Sequence, residues 1–272
     1  MSQTLLKTLD GGILTLTLNR PEVLNAYNRE LHNVLLAAFD EADANDGVRA
    51  IILTGTGRAF CAGADLSAGG STFNHRDTTR EEHRDGGGEL TLRIFDLKKP
   101  IIAAINGPAT GVGLTMTLAC DVRLAVPGAK FGFVFAQRGI APDACSSWFA
   151  PRIVGIEQAL KWFMSGEIFR SEEALEKGLV SELLVPEALL ARARELALSF
   201  SERTSAVSVA IARRLLWRML GAEHPRVAFA AESQALWYVG GAADAAEGVK
   251  SFLEKRPPRF GLKVSTDLPD WI

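Results

Sequence analysis

Two glycine-rich stretches carry most of the chemistry that can be read from this chain. Residues 57–66 read GRAFCAGADL, and residues 105–121 read INGPATGVGLTMTLACD. Each follows an apolar segment and puts small residues where backbone must approach something closely. Gly111 and Gly113 flank Val112 at the start of a helix-like stretch, whose first-turn N–H groups have no intrahelical acceptor. A helix N-terminus also carries about half an elementary positive charge. Such donors suit a developing oxyanion, where losing one typically costs about 3 kcal/mol of transition-state stabilisation. Glycines at strand–helix junctions are common, so neither turn alone assigns a reaction. Among the acidic residues, Asp143 lies in RGIAPDACSSW at 138–148. It precedes an apolar run with Trp148 and Phe149, so it can cap a helix. Desolvated by neighbours such as Phe135 and Trp148, it would instead be a base of raised pKa.

Other ionisable groups offer less. Asp65 closes the GAD turn and is expected to hold that loop through its backbone. His75 and His83 lack a partner at metal-ligand spacing, His32 is expected on a helix surface, and His224 precedes Pro225. Each reads as a solvated histidine. Cys61, Cys120 and Cys145 are too few and too unevenly spaced for a zinc site or a disulfide framework. No metal is expected. Gly86 to Gly88 lack the Lys-Ser/Thr of a phosphate loop and open no clear helix, which argues against a nucleoside triphosphate.

These groups need elements to position them. ILTLTL at 13–18 alternates apolar residues with Thr after Gly11-Gly12, as a strand does. Asn28 can cap a helix running to about residue 44, with Leu31, Leu35, Ala38, Phe39 and Ala42 on one face. Short apolar strands are predicted at 49–54 and 101–105, each ending at one of the glycine-rich turns, and further strands at 121–126, 130–133 and 179–185. Alternating strands and helices predict a layered α/β fold. Residues 67–88 are polar and read as a surface loop beside the first turn, either an active-site lid or an insertion. A core over 1–186 is expected, followed by a helical arm over 187–272.

Composition limits the partners. The chain has 272 residues, with 30 Lys and Arg against 32 Asp and Glu and a net charge of −2. That supplies no long-range field of the kind nucleic-acid binders use. No apolar run is long enough to span a bilayer, and the start, MSQTLLKTLDGG, has no leader pattern. A soluble cytoplasmic protein with neither nucleic-acid nor membrane partners is expected.

Taken together, GRAFCAGADL and INGPATGVG, about fifty residues apart, resemble the two signature segments of the crotonase (enoyl-CoA hydratase/isomerase) superfamily. LNRPEVLNA at 18–26, the Cys120-Asp121 pair, AKFGF at 129–133, PRIVG at 151–155 and EGVKSFLEKRPPRF at 247–260 extend the resemblance over nearly the whole chain. It implies a spiral of ββα units followed by a helical C-terminal arm, and a substrate that is a coenzyme A thioester. No permanently bound cofactor is implied, since coenzyme A arrives as part of the substrate. The resemblance makes the N–H groups of Ala64 and Val112 the oxyanion donors. It places the carbonyls from Ala62 through Gly63 and Asp65 to Leu66 at the adenine. Arg20, Glu22 and Val23 fall where the family contacts the phosphates and pantetheine. Phe252 and Lys255 match residues that reach the nucleotide, often from a neighbouring subunit.

Hydratases of the family activate water with two glutamates. Those positions fall here on Thr115, one residue from Met116, and on Phe135, neither of which is a carboxylate. Isomerases of the family often carry a single acid where this chain has Asp143. A superfamily dehalogenase has a nucleophilic Asp there too, but pairs it with a Trp in place of Phe135. Isomerisation by Asp143 is therefore the expectation. Hydration by Asp143 alone is the first alternative, and a non-catalytic coenzyme A binder the second. Leu216, Trp217, Phe229, Leu236 and Trp237 exceed what a small lobe can bury, which predicts a homotrimer or a dimer of trimers.

Overall fold

The computed structural model describes residues 3–74, 76 and 78–271. The expectation for His75 falls outside these. Strands β1 (Leu5–Asp10) and β2 (Ile13–Leu18) form an antiparallel hairpin closed by Gly11 and Gly12, at φ 55° and 80°. Two consecutive positive φ angles make a turn that matches strand twist and favours glycine. Asn28 accepts from Leu31 N at 2.9 Å and caps helix α1 (Arg29–Ala44), which buries the five apolar residues expected on its inner face. Strand β3 (Ala50–Gly55) then pairs in parallel with β2.

Helix α2 (Gly86–Phe95) leads into β4 (Ile101–Ile105), which pairs in parallel with β3. A two-residue strand β5 (Ala109–Thr110) and a single-turn helix α3 (Val112–Thr115) follow. Strands β6 (Val122–Ala125) and β7 (Lys130–Gly132) precede helices α4 (Ser146–Val154) and α5 (Ile156–Ser165). Short elements β8 (Phe169–Arg170), α6 (Ser171–Glu176) and β9 (Glu182–Leu183) complete two sheets. The large sheet runs β1-β2-β3-β4-β6-β9, and the small one β5-β7-β8. Apart from Gly55, β3 and β4 are buried throughout, which explains their largely apolar composition, and the buried Thr54 hydroxyl donates to Ala104 O at 2.8 Å.

The tail is helical: α7 (Pro186–Ser199), α8 (Ala206–Met219), α9 (Pro225–Gly240) and α10 (Ala243–Leu253). Helix α7, at the start of the expected arm, buries Leu189, Ala193 and Ala197 in the main core. Val207, Ile211 and Ala235, from α8 and α9, form a second small cluster. Asp121 ties α8 to the main sheet. Its carboxylate accepts from Ile101 N at 2.8 Å, Arg213 Nε at 2.9 Å and Trp217 Nε1 at 2.9 Å. No helix among the described residues is long and apolar enough to cross a membrane.

Two local expectations fail. The three glycines at 86–88 do open a helix, because Asp85 caps it by accepting from Gly87 N and Gly88 N at 3.0 and 2.7 Å. His32 is buried, 3% exposed, rather than on the helix surface, because Tyr27 and the start of α2 cover it.

Candidate active site

Parallel pairing of β3 with β4 brings the two glycine-rich turns out at the same sheet edge, the carboxyl edge where ligands bind in such sheets. Main chain then fixes them against each other. Cys61 bridges Ala109, Thr110 N donates to Cys61 O at 3.1 Å, and Thr110 Oγ1 donates to Ala62 O at 2.7 Å. A Cβ on Gly113 would lie 2.2 Å from Cys61 O, and one on Gly63 3.0 Å from Thr110 O. The glycines are there because backbone passes against backbone.

The same packing surrounds the two N–H groups expected to act as donors. Tyr27 bridges Ala64, donating to Gly63 O at 2.7 Å and accepting from Asp65 N at 2.8 Å. A bridge of that kind leaves the N–H of Ala64 itself on the other side of its strand. Val112 is the first residue of α3, where an N–H has no intrahelical acceptor. Ala64, Val112 and Asp143 line one cavity of about 580 Å³.

Asp143 lies beside Thr115, whose hydroxyl donates to Asp143 Oδ1 at 3.1 Å. Burial lifts the Asp143 carboxyl from its ordinary range to about 7; the negative charge of Asp85 adds to this, and the Thr115 bond opposes it. Helix capping is not the work of this carboxylate. The N-cap of α4 is Cys145, with no side-chain cap, and it is the Asp143 carbonyl that accepts from Ser146 N and Oγ, at 2.9 and 2.6 Å. Phe135 and Trp148 are not among the lining residues; Phe135 packs on Phe163, and Trp148 on Phe95 and Phe149.

The residues matched to coenzyme A contacts are more scattered. Arg20 pairs with Asp65 at 3.0 Å, which holds the Asp65 carboxyl below its usual range. Asp65 Oδ1 also accepts from Ser67 N at 3.1 Å, so it does brace its loop. Glu22 and Val23 sit exposed on a short 3-10 turn, Pro21–Val23. Leu66 is exposed. Phe252 is exposed on α10 and Lys255 lies just beyond that helix; neither lines this cavity.

Three residues of the cavity wall escaped the sequence reading. Besides capping α2, Asp85 accepts from Ala144 N at 2.7 Å, next to Asp143. His32 Nδ1 lies 2.7 Å from the Tyr27 hydroxyl, and Nε2 lies 3.4 Å from Glu89. Burial lowers the His32 pKa, and burial also raises that of Tyr27. Helical spacing could have found His32, which sits one residue after Leu31 and three before Leu35 on the inner face of α1.

A model of the enoyl-CoA hydratase/isomerase family matches residues 8–263. An enoyl-CoA hydratase of Alternaria alternata is 42% identical over 250 residues, covering 92% of this chain and 83% of that protein. The 1,2-epoxyphenylacetyl-CoA isomerase of Escherichia coli is 33% identical over 262 residues, covering 96% and 99%. Among solved structures, DspI of Pseudomonas aeruginosa superposes with a TM-score of 0.88 at 30% identity, covering 96% of this chain and 97% of that one. An enoyl-CoA hydratase of Bacillus anthracis superposes with a TM-score of 0.85 at 28% identity, covering 95% and 99%. Two turns locked back to back at the sheet edge, a match running nearly end to end and a shared crotonase fold converge on one result: the chain belongs to the enoyl-CoA hydratase/isomerase family.

Proposed function

We propose that this enzyme moves the double bond of an enoyl-CoA thioester, with Asp143 as its single acid/base. The Ala64 and Val112 N–H groups hold the thioester oxygen, so a proton can leave C2 when the double bond starts at C3, or C4 when it starts at C2. The enolate charge then rests on that oxygen, where fixed donors act without reorganising. Asp143 returns the proton to the other carbon on the same face, and no bound water is needed. The observation that carries this reading is the Thr115–Asp143 pair. At a position where the family's hydratases hold a glutamate, this chain has a hydroxyl that supports Asp143 instead. A carboxyl titrating at about 7 serves equally as base and acid near neutral pH.

Hydration is the second reading. It is favoured by Asp85, a second carboxylate on the same cavity, and by the name of the Alternaria relative. A panel of 2-enoyl- and 3-enoyl-CoA thioesters, followed separately for isomerisation and for water addition, decides between the two. Hydration of 2-enoyl-CoA without isomerisation of 3-enoyl-CoA would sink the first reading.

A further inference from the structure

We propose that Asp85 is a positioning residue for Asp143, clamping the turn that carries it against the first turn of α2. This rests on the assignment of Asp143 as the base. A helix cap needs one or two hydrogen bonds, and Asp85 makes these to Gly87 N and Gly88 N. Its third bond, 2.7 Å from Oδ2 to Ala144 N, reaches 59 residues along the chain.

The clamped turn needs holding. Ala144 and Cys145 both adopt φ 53°, in the left-handed region. For residues with a Cβ this conformation is unfavourable, and it persists only where the surroundings over-determine it. Asp85 is one such determinant, and Gly87 is another. A Cβ on Gly87 would lie 3.1 Å from Val112 Cγ2 and 3.3 Å from Ala144 Cβ. One helix start thus touches both the oxyanion-donor residue and the turn of the base, and Asp85 is the polar link at that junction.

Asp85 also acts by charge. The groups that face Asp143 are Asp85 before α2, Thr115 on α3, Tyr27 before α1 and Cys145 on its own turn. Of these, Asp85 is the other carboxylate, and its negative charge opposes ionisation of Asp143. Position and charge can be separated by substitution. Asp85→Asn keeps a capping oxygen but loses the charge, whereas Asp85→Glu keeps the charge but moves it.

The experiment follows isomerisation of 3-enoyl-CoA by the full chain from about pH 5 to about pH 9, the range in which raised carboxylates titrate. In Asp85→Asn, kcat is expected to fall roughly 10–100-fold through misplacement of the base. The rising limb of kcat/KM, expected near 7 in the wild type, should move to lower pH because a negative neighbour has gone. In Asp85→Glu, kcat should fall with the limb in place, and this variant carries the test if Asp85→Asn does not fold. Wild-type kcat and limb in either folded variant overturn the proposal, since a plain helix cap tolerates Asn. Full turnover by Asp143→Asn in the same assay would instead overturn the base assignment. Loss of turnover there, with Asp85→Asn unchanged, overturns the role of Asp85 alone.

Discussion

The hydroxyl of Thr115, fully buried, donates to Oδ1 of Asp143 at 3.1 Å. This bond favours the ionised carboxylate, whereas burial and Asp85 favour the protonated one. Thr115→Val should therefore raise the Asp143 pKa further and move the rising limb of kcat/KM to higher pH. That is the opposite direction to Asp85→Asn. A pH–rate profile of the folded Val variant with an unmoved limb would show that Asp143 is not the group being titrated.

Asp143→Asn should lower turnover by about 10²–10⁴ while leaving coenzyme A binding intact. It should also stabilise the protein in a pH-dependent way. The folded-state pKa of Asp143, about 7, lies above its ordinary value of 3.8, so the folded state binds more protons between those limits. Wild-type stability is then penalised as pH rises from about 4 to about 7, and the penalty is constant above that. The variant should gain nothing below about pH 4. Above about pH 7 it should gain up to about 4 kcal/mol, an upper bound that solvent in the open cavity will reduce. Denaturant melts of both proteins at the two pH extremes measure this, and equal differences at both would contradict it.

Gly113→Ala tests the joint between the two turns. Its Cβ would fall 2.2 Å from Cys61 O, an atom fixed by its bond from Thr110 N. The turns must separate, at a cost of about 1–3 kcal/mol, and Ala64 and Val112 with them. Activity should fall further than stability alone explains. Gly70→Ala, with nothing within 4 Å of its Cβ, is the control and should change neither. Full activity in folded Gly113→Ala would mean that the two turns need not touch.

What the sequence reveals of this site follows from how local each cause is. The glycines of both turns mark a close backbone approach, a demand met only by residue type, so the turns are legible from the sequence, whereas Ala64 and Val112 as donors are only what the family resemblance implies. Helix α1 is legible because Asn28 caps it and its inner face repeats every three to four residues. Strand β1 is not, since only Leu5 of its six residues faces the core and its form comes from pairing with β2. Three glycines argue against a helix on propensity, yet α2 begins there because Asp85 caps it, and a Cβ at Gly87 would crowd Val112 and Ala144 at 3.1 and 3.3 Å. Asp85 is hidden for the same reason. Its partner Ala144 is 59 residues away, and no local pattern predicts that contact.

The arm leaves a wide apolar face uncovered in the single chain. Phe229 is 72% exposed, Leu236 70%, Trp237 81%, Phe252 82% and Leu253 73%. Trp217, by contrast, is engaged with Asp121, so it is not part of that face. Exposed apolar groups this large, gathered on consecutive helices, mark an association surface. We expect a trimer or a dimer of trimers assembled through it. Trp237→Lys should weaken association by at least tenfold, because a buried aromatic anchor is replaced by a charge. The same change should leave the fold of each chain intact, since the side chain touches little within its own chain. Light scattering at micromolar concentration, with circular dichroism as the check on folding, reads both effects. If Phe252 and Lys255 complete the coenzyme A site of a neighbouring copy, the dissociated variant should also show a raised KM with a smaller change in kcat. A wild-type chain that is a stable monomer under these conditions would refute the assembly and require another occupant for the face.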